Sequence, residues 1–303
     1  MAATRAIVLI VLLAWAILTP SFLSMPSLTA LMSTASVIGC MSAGMTFITL
    51  GGTIMSFALG ATAAATSFVF VTILNTIGFA PALIGALAFG GIVTAVQGLV
   101  IAYFRANPII VSIAANILIY GAASWLTGNE TAYARTNPGD EFLTHTIAGV
   151  PVEFLVFLAL TVLGQIILSF TVLGRNLLLV GSGLPAAEAV RLPVVRTISL
   201  AYLWAGFYTA MSGILLAVRY NQGNMDLAVH YDYDAIAAVL LGGTSITGGD
   251  GSMVRTLVGV AAISVIQVVL LLHGFEVEWR HLVTGLIVLV VIVLYSGRRA
   301  FQQ

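Results

Sequence analysis

From Asp232 to Ser252 the chain reads DYDAIAAVLLGGTSITGGDGS, an apolar run that dissolves into Gly242, Gly243, Thr244, Ser245, Gly248, Gly249 and Gly251. A glycine-rich loop that cradles phosphate would also need a lysine to reach the terminal phosphates. All 11 basic residues of this chain are arginines, so that reading fails. The apolar part, Ala235 to Thr247, is short for a membrane crossing and long enough for a re-entrant segment. The choice sets the orientation of everything after it. As a re-entrant segment it would put Arg298 and Arg299 outside and the acidic loop GFEVEWR inside, against the preference of arginines for the cytoplasm. A short crossing is therefore the better reading, with glycines at its inner end. Freed backbone N–H and C=O groups survive at membrane depth only inside protein or beside a wet cavity, so this stretch belongs inside a bundle.

The rest of the composition agrees. The chain has 303 residues, 60% hydrophobic and 7% charged, with formal net charge zero, and its mean hydropathy is +1.11. Soluble domains carry about a quarter charged residues. The expected fold is all-α and polytopic, a single transmembrane unit over 1–303, with about ten crossings of about 20 residues each and some of them short or broken. Spans are expected near 6–23, 29–49, 54–74, 81–104, 109–127, 152–173, 198–218, 235–247, 254–272 and 281–296. The first is read as a span, not as a cleaved signal. With both termini cytoplasmic, Arg5, Arg105, Arg175, Arg191, Arg196, Arg255, Arg298 and Arg299 fall inside. Arg135, Arg219 and Arg280 then fall outside, with Glu130, Asp140, Glu141, Glu153, Asp226, Asp232, Asp234, Glu276 and Glu278.

The same composition excludes several chemistries. No basic run marks a nucleic-acid binder. Cys40 is the only cysteine, so no internal disulfide or cysteine metal cluster can form. His145, His230, His273 and His281 fall in outer loops or at span ends and lack the spacing of a zinc helix. No catalytic, metal or cofactor residue is assigned. The spans hold neutral polar groups instead: Thr53, Ser56, Asn75, Gln97, Asn116, Gln165, Thr244, Ser245 and Gln267. Such groups either bond between helices or face a path for an uncharged, hydroxylated solute. Thr53, Ser56, Gln97, Asn116, Gly242, Gly243, Thr244 and Ser245 are the path candidates. LGGT at Leu50–Thr53 echoes LGGT at Leu241–Thr244, which fits two interrupted helices in related positions or simply glycines that allow close helix contact. In the longest inner loop, Leu173 to Thr197, Pro185 is well placed to start a helix through AAEAV that Pro193 stops. That short element is either a connector or a docking lever for a cytoplasmic partner.

DAIAAVLLGGTSITGGDGS, NPIIVSIAANILIYGAASWLTGN (Asn107–Asn129), VQGLVIAYFRANP (Val96–Pro108) and GSGLPAAEAVRLPVVR (Gly181–Arg196) resemble the permease subunits of bacterial ABC importers for monosaccharides, the ribose-type family, over roughly Ser36 to Val293. The resemblance implies a non-catalytic inner-membrane permease that pairs with a second copy or a close relative. It also implies cytoplasmic ATPase subunits and an extracytoplasmic solute-binding protein as partners. By the same resemblance Gly181, Pro185, Ala186, Ala187, Glu188 and Arg191 form the element that docks into the ATPase. Nucleoside or amino acid permeases of related type, and a stand-alone facilitator or channel, are the alternatives. One departure is evident: where the family usually reads Gly-Gly-Ile-Asp-Leu-Ser-Val-Gly, this chain reads GGTIMSFA from Gly51, with Ile54 at the acidic position. The Asn-Gly pair common in the fourth span is Gln97 and Gly98.

Overall fold

The computed structural model describes residues 12, 14–135, 145–147, 149–276, 278–280, 282–286 and 289. Its helices are α1 (Met25–Leu50), α2 (Leu59–Thr76), α3 (Phe79–Phe104), α4 (Pro108–Thr127), α5 (Val152–Phe170), α6 (Val172–Ser182), α7 (Leu184–Ala189), α8 (Val194–Tyr220), α9 (Tyr231–Gly242) and α10 (Met253–Leu272). Four two-residue strands, β1 (Ala132–Tyr133), β2 (Thr146–Ile147), β3 (Val150–Pro151) and β4 (Gln222–Gly223), form two small antiparallel ladders, β1 with β4 and β2 with β3. Among the described residues seven helices, α1 to α5, α8 and α10, are long and apolar enough to cross a membrane. The expected span at 281–296 lies largely outside the described residues and that at 6–23 partly so, while Arg5, Asp140, Glu141, His281, Arg298 and Arg299 lie outside them.

The helix ends follow local chemistry. Asn107 caps α4 by accepting the Ile109 N–H at 2.9 Å, with Pro108 in the first turn, and Gly128 closes the helix in the left-handed region. Ser252 caps α10 through the Arg255 N–H at 3.2 Å. Thr171 lies extended between α5 and α6, its hydroxyl accepting the Gly174 N–H at 3.3 Å. The single span expected over 152–173 therefore stops at Phe170 and turns into a second, shorter helix.

Helices α1 and α8 form the centre, each 78% buried over its most apolar window, whereas α4 is 6% buried over its own. An apolar surface of this kind, with Ile110, Ile113, Ile117, Leu118, Trp125 and Leu126 exposed, suits hydrocarbon. Small residues let the central helices touch. A Cβ on Gly206 of α8 would collide with Thr94 and Gly90 of α3, and one on Gly213 with Ala63 of α2.

The connections alternate between two ends of the bundle. At one end Asn75 donates to the Tyr133 carbonyl at 2.9 Å and β1 pairs with β4. At the other, the Gly249 N–H reaches the Leu50 carbonyl at 3.1 Å and Arg105 pairs with Glu188 at 2.7 Å. The segment from Gly223 to Gly249 runs from the first end to the second, in the sense of the short crossing read from the sequence. Only 12 of its residues, those of α9, are helical, a rise of about 18 Å. Turns over 224–230 cover the remaining depth.

Candidate functional site

At the glycine end three segments remote in sequence meet. The first is the break after α1. Gly51 and Gly52 donate to Ile48 and Thr49 carbonyls, at 3.2 and 3.1 Å, and Gly52 takes φ +73°, which frees the chain from the helix. The backbone from Thr53 to Phe57 is then non-helical until α2 begins at Leu59. The span expected over 54–74 is therefore shorter, its first residues lying outside the helix. Non-helical backbone at this depth needs partners, and nearby side chains supply them. The Thr53 hydroxyl donates to the Ile48 carbonyl at 2.7 Å, the Ser56 hydroxyl accepts the Ala58 N–H at 3.4 Å, and Asn116 Nδ2 of α4 donates to the Phe57 carbonyl at 2.6 Å. Thr53, Ser56 and Asn116, expected as path residues, thus meet at this non-helical stretch, Asn116 reaching it from α4. Replacing Asn116 by Leu strips the Phe57 carbonyl of its partner. The expected loss is about 1–3 kcal/mol, seen as a lower melting temperature of the purified protein in detergent; unchanged melting would show that the bond carries no weight.

The second segment is the glycine block. Gly243 closes α9 in the left-handed region, with its N–H on the Val239 and Leu240 carbonyls. Gly242 lies against the backbone of α10 at Arg255, where a Cβ would collide. A compact loop follows, in which the Ser245 N–H bonds the Asp250 carbonyl at 2.8 Å and the Ser245 hydroxyl faces that of Thr247 at 2.9 Å. Gly242, Gly243, Thr244 and Ser245 are all buried. The Thr244 hydroxyl has no protein partner, and Gly251 sits against Thr244 and Leu50. The two LGGT-bearing stretches, separated by most of the chain, are therefore in contact.

The third segment is the element after α6. Gly181 lies against the Leu50 carbonyl and Gly249. Helix α7 begins after Gly183 with Pro185 in its first turn and runs to Ala189, as the sequence predicts. Ala187 is buried, whereas Pro185, Ala186, Glu188 and Arg191 are exposed. Arg191 ends the element at φ +56°. A cavity of about 420 Å³ opens between these segments, lined among others by Gly52, Thr53, Arg105, Gly181, Glu188 and Thr247. Thr53, Gly181 and Glu188 are thus the expected site residues that share a cavity. Gln97 stands apart, buried on the α3 face toward α8, its Nε2 unpartnered, while neighbouring Gly98 packs on the Tyr202 ring.

Two placements correct the charge reading. Asp232 and Asp234, expected among the outer charges, are buried in the bundle. Asp232 lies beside Gly60 at the start of α2, and Asp234 Oδ2 accepts a hydrogen bond from Gln267 Nε2 of α10 at 2.8 Å. Both stand in the first turn of α9, where the helix dipole favours a carboxylate. Arg105, read only as an inner-facing charge, proves to be the partner of Glu188. No local signal could have found either pairing, because the partners are 33 and 83 residues apart.

Residues 27–292 match the family described as "Branched-chain amino acid transport system / permease component". The chain is 30% identical over 287 residues to the Ribose import permease protein RbsC of Bacillus subtilis (strain 168), covering 94% of this chain and 89% of that protein. It is 30% identical over 217 residues to the Autoinducer 2 import system permease protein LsrD of Yersinia enterocolitica, covering 70% and 64%. With the Probable ABC transporter permease protein YphD of Escherichia coli (strain K12) it shares 37% identity over 155 residues, 51% and 45% of the two chains. The matched region thus spans less than two thirds of the latter two relatives.

Proposed function

We propose, from the premise that the chain belongs to the family of branched-chain amino acid transport system permease components, that it is the membrane-spanning permease subunit of an ATP-driven importer for a monosaccharide. It is an inner-membrane protein of several crossings. The observation that carries the solute class is the match to a ribose import permease along 94% of the chain.

The finer reading has about ten crossings and both termini in the cytoplasm. The glycine end is then cytoplasmic, which suits Arg105, Arg175, Arg191, Arg196 and Arg255 on the connections at that end or beside them. Separate ATPase subunits bind there on the exposed face of α7, since a chain without lysine cannot supply a nucleotide loop of its own. A solute-binding protein docks at the strand end, and a second copy or a close relative completes the path. Thr53, Ser56, Gln97, Asn116 and the block from Gly242 to Ser245 supply neutral hydrogen-bonding groups near that path. They suit a sugar that is passed on without tight capture.

The family's description raises a second reading, an amino acid. A zwitterion inside the bundle calls for charges of both signs, and among the described residues the buried charged ones are Asp232 and Asp234, both acidic. Uptake assays on the complete importer, with its ATPase and binding-protein subunits, separate the readings. ATP-dependent accumulation of ribose or a related sugar is expected; accumulation of leucine with no sugar uptake would replace this solute class.

A further inference from the structure

We propose that the backbone contact among Gly52, Gly181 and Gly248 is the joint through which the α7 element moves both broken helices. This rests on the importer reading above, in which α7 docks on the ATPase.

Three stretches of main chain touch here with no side chains between them. A Cβ on Gly248 would lie 2.5 Å from Gly52 Cα and 3.0 Å from the Gly181 carbonyl oxygen, and one on Gly52 would lie 3.1 Å from Gly181 Cα. One on Gly181 would overlap the Leu50 carbonyl and stand 2.5 Å from the Gly249 nitrogen. The hydrogen bond from the Gly249 N–H to the Leu50 carbonyl, 3.1 Å, fastens the first break to the second. Gly52 takes φ +73° and Gly248 φ +86°, so these turns hold conformations that a side chain would oppose.

Gly181 is in the last turn of α6, and α7 follows directly. The Gly183 N–H bonds the Val180 carbonyl at 3.3 Å and the Ala187 N–H bonds the Gly183 carbonyl at 3.0 Å. Buried Leu177 and Ala187 hold the two short helices against the bundle. A push on α7 therefore reaches Gly181 through a few hydrogen-bonded residues. From Gly181 it passes to Gly52, where the non-helical stretch toward α2 begins, and to Gly248, in the loop between α9 and α10. Side-chain contacts absorb small displacements by changing rotamer, whereas backbone packed on backbone has no such slack. The other link from α7, Glu188 to Arg105, joins side chains 41% and 73% exposed. A pair so solvated is a compliant tether.

The test substitutes Gly181→Ala in the assembled importer, with Gly121→Ala, which faces open space, as control. Subunits are expected to co-purify, and solute moved per ATP hydrolysed to fall about tenfold, the scale of a typical coupling free energy. An unchanged ratio overturns the joint. If Gly181→Ala does not assemble, hydrogen exchange on the wild-type importer decides. Nucleotide binding to the ATPase subunits is expected to alter exchange at 181–191, 50–58 and 245–251 together; a change confined to 181–191 overturns the proposal. If the wild-type chain binds no ATPase, the importer reading fails on its own. The contact is then judged on the isolated chain, where Gly181→Ala is expected to speed exchange at 245–251 and an unaltered rate refutes it.

Discussion

Replacing Glu188 and Arg191 together by alanine lowers transport-linked ATP hydrolysis of the assembled importer about tenfold, with insertion and folding unaffected. The two halves of this expectation have separate causes. Glu188 pairs with Arg105 at 2.7 Å on an exposed surface, and exposed pairs contribute about 0–1 kcal/mol. Arg191 is exposed, so little stability rides on either side chain. At a docked interface the same charges become desolvated, and truncating one partner of such a pair costs about 2–5 kcal/mol, enough for a tenfold loss. The checks are ATPase activity stimulated by the solute-loaded binding protein and the yield of folded permease. Full stimulation in the double variant would move the docking surface away from α7.

The largest expected loss of stability is at Gly259. A Cβ there would overlap the Ala238 carbonyl and stand 2.7 Å from the Gly242 nitrogen, while Gly242 in turn lies against Arg255. These two glycines bring α9 and α10 together backbone to backbone. Helix α9, with 12 residues, is too short to be stable alone and owes its place to this packing. Gly259→Leu forces the pair apart and is expected to cost about 3 kcal/mol or more, read as loss of folded protein on size exclusion and a lower melting temperature. Gly121→Leu, facing open space, should behave as wild type. Equal melting of both variants would mean that the seam tolerates separation.

The sequence legible as structure was that with a local cause. Gly51 and Gly52 mark the end of α1, Pro185 starts α7, and arginine placement agrees with the short crossing near Gly242. What escaped notice depends on distance or on backbone conformation. Ile54, Met55 and Phe57 are as apolar as helix residues, so hydropathy runs through a stretch that is non-helical and held by Asn116. Thr171 breaks the sixth expected span with neither glycine nor proline to announce it. Asp232 and Asp234 look like loop residues because charge in a bundle is costly. The Gln267 partner of Asp234 comes from the following helix and has no signature of its own.

Of the expected site, the short helix α7 and the two glycine-bearing stretches could be read ahead of the structure. Their meeting at Gly181 could not, because it joins Leu50, Gly181 and Gly249 across more than half of the chain. Ile54 lies on the non-helical stretch that Asn116 supports and is 40% exposed in the single chain.

The central claim is that this chain forms the conduit and borrows its energy from another. Purified protein in lipid vesicles, alone and then joined by its ATPase and binding-protein subunits, tests this most directly. No ATP hydrolysis and no uphill solute movement are expected of the chain alone, and ATP-dependent accumulation is expected once the partners are added. Uphill uptake or nucleotide cleavage by the chain alone would contradict the claim.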